Sequence, residues 1–174
     1  MAIGTSTLPI VFTSNQTKGQ RNVGDWGGVI LCGKAKTNWT GAKDLNGNVL
    51  APGIAQVEGG PRSFYGGADD ADNSGILQFC RIEFAGVAFS PNNEINGLPL
   101  CGVGNATTID HIQVSYSGDD SYEFFGGTVN CKYLIAHRGW DDDFDMDNGY
   151  SGKLQFLMGL RDCFAADQSG SKGF

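Results

Sequence analysis

Three consecutive blocks of 21 residues, Thr108–Thr128, Val129–Gly149 and Tyr150–Gly170, can be laid over one another without a gap. A fixed period near 20 residues marks a chain whose repeats stack on one another. Each block opens on an alternating apolar stretch, IDHIQVSY, CKYLIAH or KLQFLMG, with the two-residue period of a strand. The alignment predicts three inward columns: Ile112, Tyr133 and Leu154; Val114, Ile135 and Phe156; Tyr116, His137 and Met158. Gln113 and Ser115 are expected to face out, with Gly118 and Gly139 ending the strand at one corner. The earlier Cys80, Ile82, Phe84 and Gly86 join the frame if the stretch around SPNNEINGLPL is an insert. Room for about three short strands and their turns in each block is the arithmetic of a parallel β-helix.

Composition agrees with an all-β chain rich in turns. Glycine accounts for 27 of 174 residues, about twice the ordinary frequency of roughly 7%. The acids are 15 Asp against 4 Glu, and Asp favours turns where Glu favours helices. A formal charge of −7 disfavours a nucleic-acid backbone as partner, and no apolar run is long enough for a spanning helix. The five cysteines, at 32, 80, 101, 131 and 163, form no Cys-x-x-Cys pair, so they read as small buried hydrophobes. Residues 24–74 are irregular, an early part of the stack with a long loop, and 75–170 carry the regular repeats. No linker divides residues 1–174, which are expected to form a single domain.

The runs GDWGGVILCGKA, DDADNSGILQFCRIEFAG and NEINGLPLCGVGNATTIDHIQVSYSGDDSYEFFGGTVNCKYLIAHRGWDDDFDMDNGYSGKLQF resemble a family of secreted or surface-anchored bacterial proteins, common in Bacteroidetes. The resemblance implies a right-handed, pectin-lyase-like β-helix, export to the cell surface or medium, and a chain that is a fragment of a longer protein. It implies no settled activity.

The densest chemical signal is GWDDDFDMDNG, with carboxylates at Asp141, Asp142, Asp143, Asp145 and Asp147. An EF-hand is rejected, because Asn148 stands at the loop's glycine position and Leu154 at its final glutamate. The 21-residue frame instead places Asp120, Asp141 and Asp162 in one column at the ~4.8 Å strand spacing. Like charges so close repel by about 3 kcal/mol at an effective dielectric of ~20, which a bound cation relieves. Calcium suits oxygen donors carried on turns, with Asp142 and Asp143 as further candidate ligands. Solvated corner carboxylates are the alternative.

A second group joins Asp119, Asp120, Tyr122 and Glu123 to His137, Arg138 and Trp140 of the following repeat. Paired carboxylates suit glycoside cleavage, and Tyr122 or Trp140 could stack on a sugar, with Arg138 as a further ligand contact. The pair Asp119-Asp120 resembles the polygalacturonase type of β-helix, yet the Gly-His-Gly and Arg-x-Lys expected there are missing. The reading preferred from sequence is therefore a non-catalytic extracellular or cell-surface protein that binds polysaccharide or surface glycan. A polysaccharide lyase or glycoside hydrolase, with Asp119, Asp120 and Arg138 as catalytic candidates, is the alternative. A third reading is a structural protein that assembles with its own copies through the ends of the stack.

Overall fold

The computed structural model describes residues 1–44, 46–58, 63–90, 93–167 and 170–174. Its elements are β1 (Ala2–Ile3), β2 (Ile10–Phe12), β3 (Leu31–Cys32), β4 (Ala55–Gln56), β5 (Phe64–Tyr65), β6 (Ile76–Glu83), β7 (Ala88–Ser90), β8 (Asn93–Glu94), β9 (Leu98–Cys101), β10 (Thr108–Ser115), β11 (Tyr122–Phe125), β12 (Cys131–His137), β13 (Phe144–Asp147) and β14 (Leu154–Leu160). The fold is all-β, and no helix among the described residues is long and apolar enough to cross a membrane.

Two parallel sheets carry the architecture. The larger runs β6–β10–β12–β14, with β1 and β2 both pairing the outer side of β6, and the smaller runs β3–β9–β11–β13. Their inner faces meet in one core, where Leu77, Ile112, Val114 and Leu134 of the first sheet pack with Leu98, Leu100, Phe124 and Phe144 of the second. Tyr122 reaches across this core. It is fully buried, and its hydroxyl lies 2.9 Å from the Ile112 carbonyl and 3.0 Å from that of Ile135, so one donor serves two neighbouring strands.

The register corrects the repeat length read from sequence. Ile112 pairs with Leu134 and Leu134 with Leu157, steps of 22 and 23 residues rather than 21. The inward columns are Leu77, Ile109, Cys131 and Leu154; Cys80, Ile112, Leu134 and Leu157; and Ile82, Val114, Ala136 and Gly159. Tyr133, Phe156 and Met158, expected inside, are 43%, 56% and 60% exposed, and Ile135 and His137 also lie on the outer face.

The cause is a left-handed residue in each long strand. Phe79, His111, Tyr133 and Phe156 have φ of 48°, 54°, 56° and 65°, and the ladder pairings skip every one of them. Such a bulge puts two consecutive residues outside before alternation resumes, so a strict period of two assigns everything beyond it to the wrong face. The four rings stack on one another with centroids 4.4, 4.4 and 4.9 Å apart. Aromatic contacts of about 0.5–1.5 kcal/mol each offset part of a left-handed backbone cost of roughly 1–2 kcal/mol per residue. Five residues further along, Phe84, Tyr116 and Arg138 repeat the left-handed conformation, and Phe84 stacks on Tyr116 at 5.0 Å.

The irregular first half covers the outer face of the smaller sheet. Ala55, Val57 and Tyr65 pack on Cys101 and Phe125 in a satellite cluster, with β4 and β5 forming a short antiparallel ribbon there. The expected insert after Phe84 contains the β7–β8 ribbon, although its Pro91 and Asn92 lie outside the described residues.

Candidate carboxylate site

The turns that carry chain from the larger sheet to the smaller one, before β11 and before β13, bring acids together. Carboxylate oxygens of Asp119, Asp120 and Asp141 lie within 4.8 Å of one another. A second trio, Asp120, Glu123 and Asp145, meets the same limit and shares Asp120. Glu123 and Asp145 are directly paired across β11 and β13, both pointing out of the smaller sheet while Tyr122 and Phe144 point in.

The inner carboxylates are held rather than solvated. Asp120 and Glu123 are only 8% and 7% exposed. The Asp142 N–H donates to Asp120 Oδ1 at 2.8 Å, and the Asp120 N–H donates to Asn96 Oδ1 at 3.1 Å. Asn96, itself buried, turns its Nδ2 to donate to Glu123. The residue two before β9 thus supplies the amide that fixes both acids, in the place that Asp120 takes before β11.

Burial is the leading cause of their shifted protonation, and every charge that acts on them is negative. Asp119 is pushed up to about 7 by desolvation, then by Glu94, Asp141, Glu58 and Asp167. Asp120 rises to about 9 through desolvation and Asp119, against the opposing Asp142 amide. Glu123 rises to about 10 through desolvation and its neighbours Asp120, Asp145 and Glu58. Burial and negative neighbours both favour the protonated, neutral form of these acids.

The carboxylates of each trio are near enough to share one cation, since oxygens on opposite sides of a calcium ion, at about 2.3–2.6 Å each, are separated by roughly 5 Å. Oxygen-only donors suit calcium over a softer metal.

Of the candidate metal ligands read from sequence, Asp120 and Asp141 are brought together, with Asp119 as the third member. Asp162 stands apart, 3.9 Å from Arg138 Nη1 and accepting from the Phe164 N–H. Asp142 accepts from the Lys172 N–H, and the buried Asp143 accepts from Arg161 Nη1 at 3.2 Å. Glu123, Asp145 and Asn96 were not on that candidate set. A 22-residue frame would have found two of them, since it superposes Asp119 on Asp141 and Glu123 on Asp145.

The candidate ligand-binding side chains separate. Trp140 is 42% exposed and adjoins Asp141 in the chain, and Arg138 is also exposed. Tyr122 is wholly inside and presents no ring face to a ligand, because its ring stacks on Phe144 at 5.1 Å. Arg161 is committed elsewhere: its Nη1 donates to the carbonyls of Asp141 and Lys172 as well as to Asp143.

A second concavity, about 710 Å3, lies on the outer face of the larger sheet between the Thr5–Pro9 loop and the stacked rings of Phe79, His111, Tyr133 and Phe156. Mutual stacking uses up the faces of the inner rings, so the wall offers ring edges with Ile135 and Met158.

No curated protein and no solved structure matches the chain. A family model described as a pectate-lyase-like β-helix domain matches residues 1–173. Parallel sheets joined by turns, a shared core and a match over nearly the whole length lead to one assignment: this chain belongs to the pectate-lyase-like β-helix domain family.

Proposed function

We propose that the protein is a non-catalytic, extracellular or cell-surface bacterial β-helix that binds polysaccharide through a calcium-dependent site at Asp119, Asp120 and Asp141. The observation that carries this reading is three carboxylates whose oxygens lie within 4.8 Å, surrounded by further negative charge. A calcium ion there neutralises the acids and keeps positions open for oxygens of an acidic sugar. The exposed Trp140 ring beside Asp141 supports sugar contact on the same corner. The parallel registers support a right-handed helix, the hand that nearly all parallel crossovers adopt.

Affinity electrophoresis through acidic and neutral polysaccharides, with calcium or with chelator, tests the proposal. Retardation by an acidic polysaccharide in calcium, lost on chelation and in Asp119→Asn/Asp141→Asn, is expected. Mobility indifferent to every polysaccharide overturns glycan binding, and retardation indifferent to calcium overturns the role of the ion.

An enzymatic reading draws on one feature. Asp119, with its proton affinity near neutral pH beside Asp141, has the character of a general acid. A lyase also needs a basic group at the site, and Arg161 is engaged while Arg138 faces Asp162. Release of reducing ends or unsaturated sugars from the same polysaccharides would establish catalysis. Assembly through the strand edge of β14, where Phe156, Met158 and Leu160 are exposed, is read by sedimentation.

A further inference from the structure

Cys32 and Cys101 lie on the outer face of the smaller sheet, where Cys101 belongs to the satellite cluster and Cys32 is exposed. β3 is the edge strand of the smaller sheet, and its Cys32 pairs directly with Cys101 of β9. Side chains at directly opposed positions leave a sheet on the same face, and Cα atoms on neighbouring strands are ~4.8 Å apart. A disulfide spans Cα separations of about 4.4–6.8 Å, so the backbone already stands at bridging distance. The two thiols act on each other's ionisation, lowering that of Cys32 and raising that of Cys101. Their surroundings differ: Cys32 is exposed, whereas Cys101 is sealed under Ala55, Val57 and Tyr65 of the covering segment.

We propose that Cys32 and Cys101 form a redox-active dithiol pair that closes into a disulfide by exchange with a small-molecule disulfide, clasping the edge strand β3 to β9. Cys32 is the attacking group. The Cys101 thiol beside it favours its thiolate, while that same neighbour and then burial hold Cys101 in the protonated form. With glutathione disulfide as oxidant, the Cys32 thiolate attacks one of its sulfurs, forming a mixed disulfide and releasing one glutathione thiolate. Cys101 then loses its proton and attacks Cys32 Sγ, breaking the mixed bond and releasing the second glutathione. The protein gives up two electrons and two protons, and one glutathione disulfide becomes two glutathione thiols. The remaining cysteines offer no such pair: Cys80 and Cys131 are buried at different positions of the inner face, and Cys163 is exposed near the end of the chain.

The clasp would join what the sheet holds weakly. β3 has two residues, and the chain leaving it is secured by the Gly33 N–H donating to the Cys101 carbonyl at 2.9 Å and by the Gly66 N–H donating to the Gly33 carbonyl at 3.0 Å. Oxidation should therefore stiffen both the edge strand and the 36–58 cover that rests on it.

The test uses folded full-length protein carrying Cys163→Ser, incubated with glutathione disulfide, quenched by alkylation under denaturing conditions and mapped by mass spectrometry. The expected product has lost two hydrogen masses, carries a Cys32–Cys101 linked peptide, melts at a higher temperature and is cut more slowly within 36–58 by protease. Cys101→Ala should stop at one glutathione on Cys32, and Cys32→Ala should leave Cys101 unmodified. A stable glutathione adduct on Cys32 with Cys101 still alkylated overturns the proposal, as does the absence of any reaction at Cys32. Because the linked peptide is sought in protein with both cysteines intact, a variant that fails to fold does not affect the result.

Discussion

At the residue scale, Tyr122 shows how one side chain can hold two repeats. Its phenol comes from β11 and reaches carbonyls of β10 and β12, so removing it leaves buried acceptors without a donor. Tyr122→Phe is expected to cost about 1–3 kcal/mol in denaturant unfolding, more than the loss of one exposed hydrogen bond. The bulge makes an equally sharp prediction for the next strand. Leu134→Ala, in the inward column, should lose about 2–5 kcal/mol, whereas Tyr133→Ala, one residue away, should lose less, about 0.5–1.5 kcal/mol for each of its two ring contacts. Similar losses from the two variants would place Tyr133 back inside. The alternation of IDHIQVSY and CKYLIAH was readable as strand, but nothing in those letters marks His111 and Tyr133 as left-handed. Non-glycine residues rarely adopt that conformation, so a reading built on alternation passes over them.

At the scale of elements, the corner after β6 leaves no room for a side chain. Gly86 has φ +89°, and a Cβ on it would stand 2.4 Å from the Gly118 nitrogen. Gly75, at φ +108°, has open space around the same position. Gly86→Ala combines backbone strain with collision against backbone and is expected to cost well over ~2 kcal/mol; Gly75→Ala carries the strain alone. Thermal melts of the two separate the terms, and equal losses would show that the approach to Gly118 is relaxed. The strands β10, β12 and β14 were legible because each is a long apolar stretch. β3, β4, β5 and β8 have two residues each, too short for any period, and are fixed by what they pack against.

For the whole molecule, charge sets the dependence on pH. Asp119, Asp120 and Glu123 keep their protons to about 7, 9 and 10 in the folded state, whereas unfolded carboxylates release them near ~4. Above that lower value the folded state binds more protons, so stability declines as pH rises towards 9. Asp25, Asp44 and Asp70 are shifted the other way by hydrogen bonds to Ser14, Asn48 and Lys36, so their contribution fades below ~pH 4. The melting temperature should peak in mild acid and fall into the alkaline range, with calcium recovering part of the loss at pH 8. Glu123→Gln, which keeps an oxygen for Asn96, should flatten the alkaline fall; an unchanged slope would show that this carboxyl does not carry the protons. The acidic run was visible in the letters, but which acids meet was not. The frame was one residue short, and it read Asn96 as part of an insert, although Asn96 stands two residues before β9 as Asp120 stands before β11 and Asp142 before β13.

The left-handed residue of each strand has a consequence for how such a chain can vary. Corresponding inward residues stand 32, 22 and 23 positions apart from β6 to β14, yet within each strand the bulge follows the first inward residue by two. Length is free between strands and fixed inside them. An added residue within a strand would break the ring stack and turn one flank inside out, while the same residue at a corner only enlarges a loop. Variation is thereby channelled to the corners, and the carboxylates stand at one of them: a scaffold of this kind can exchange what it binds without disturbing how it folds.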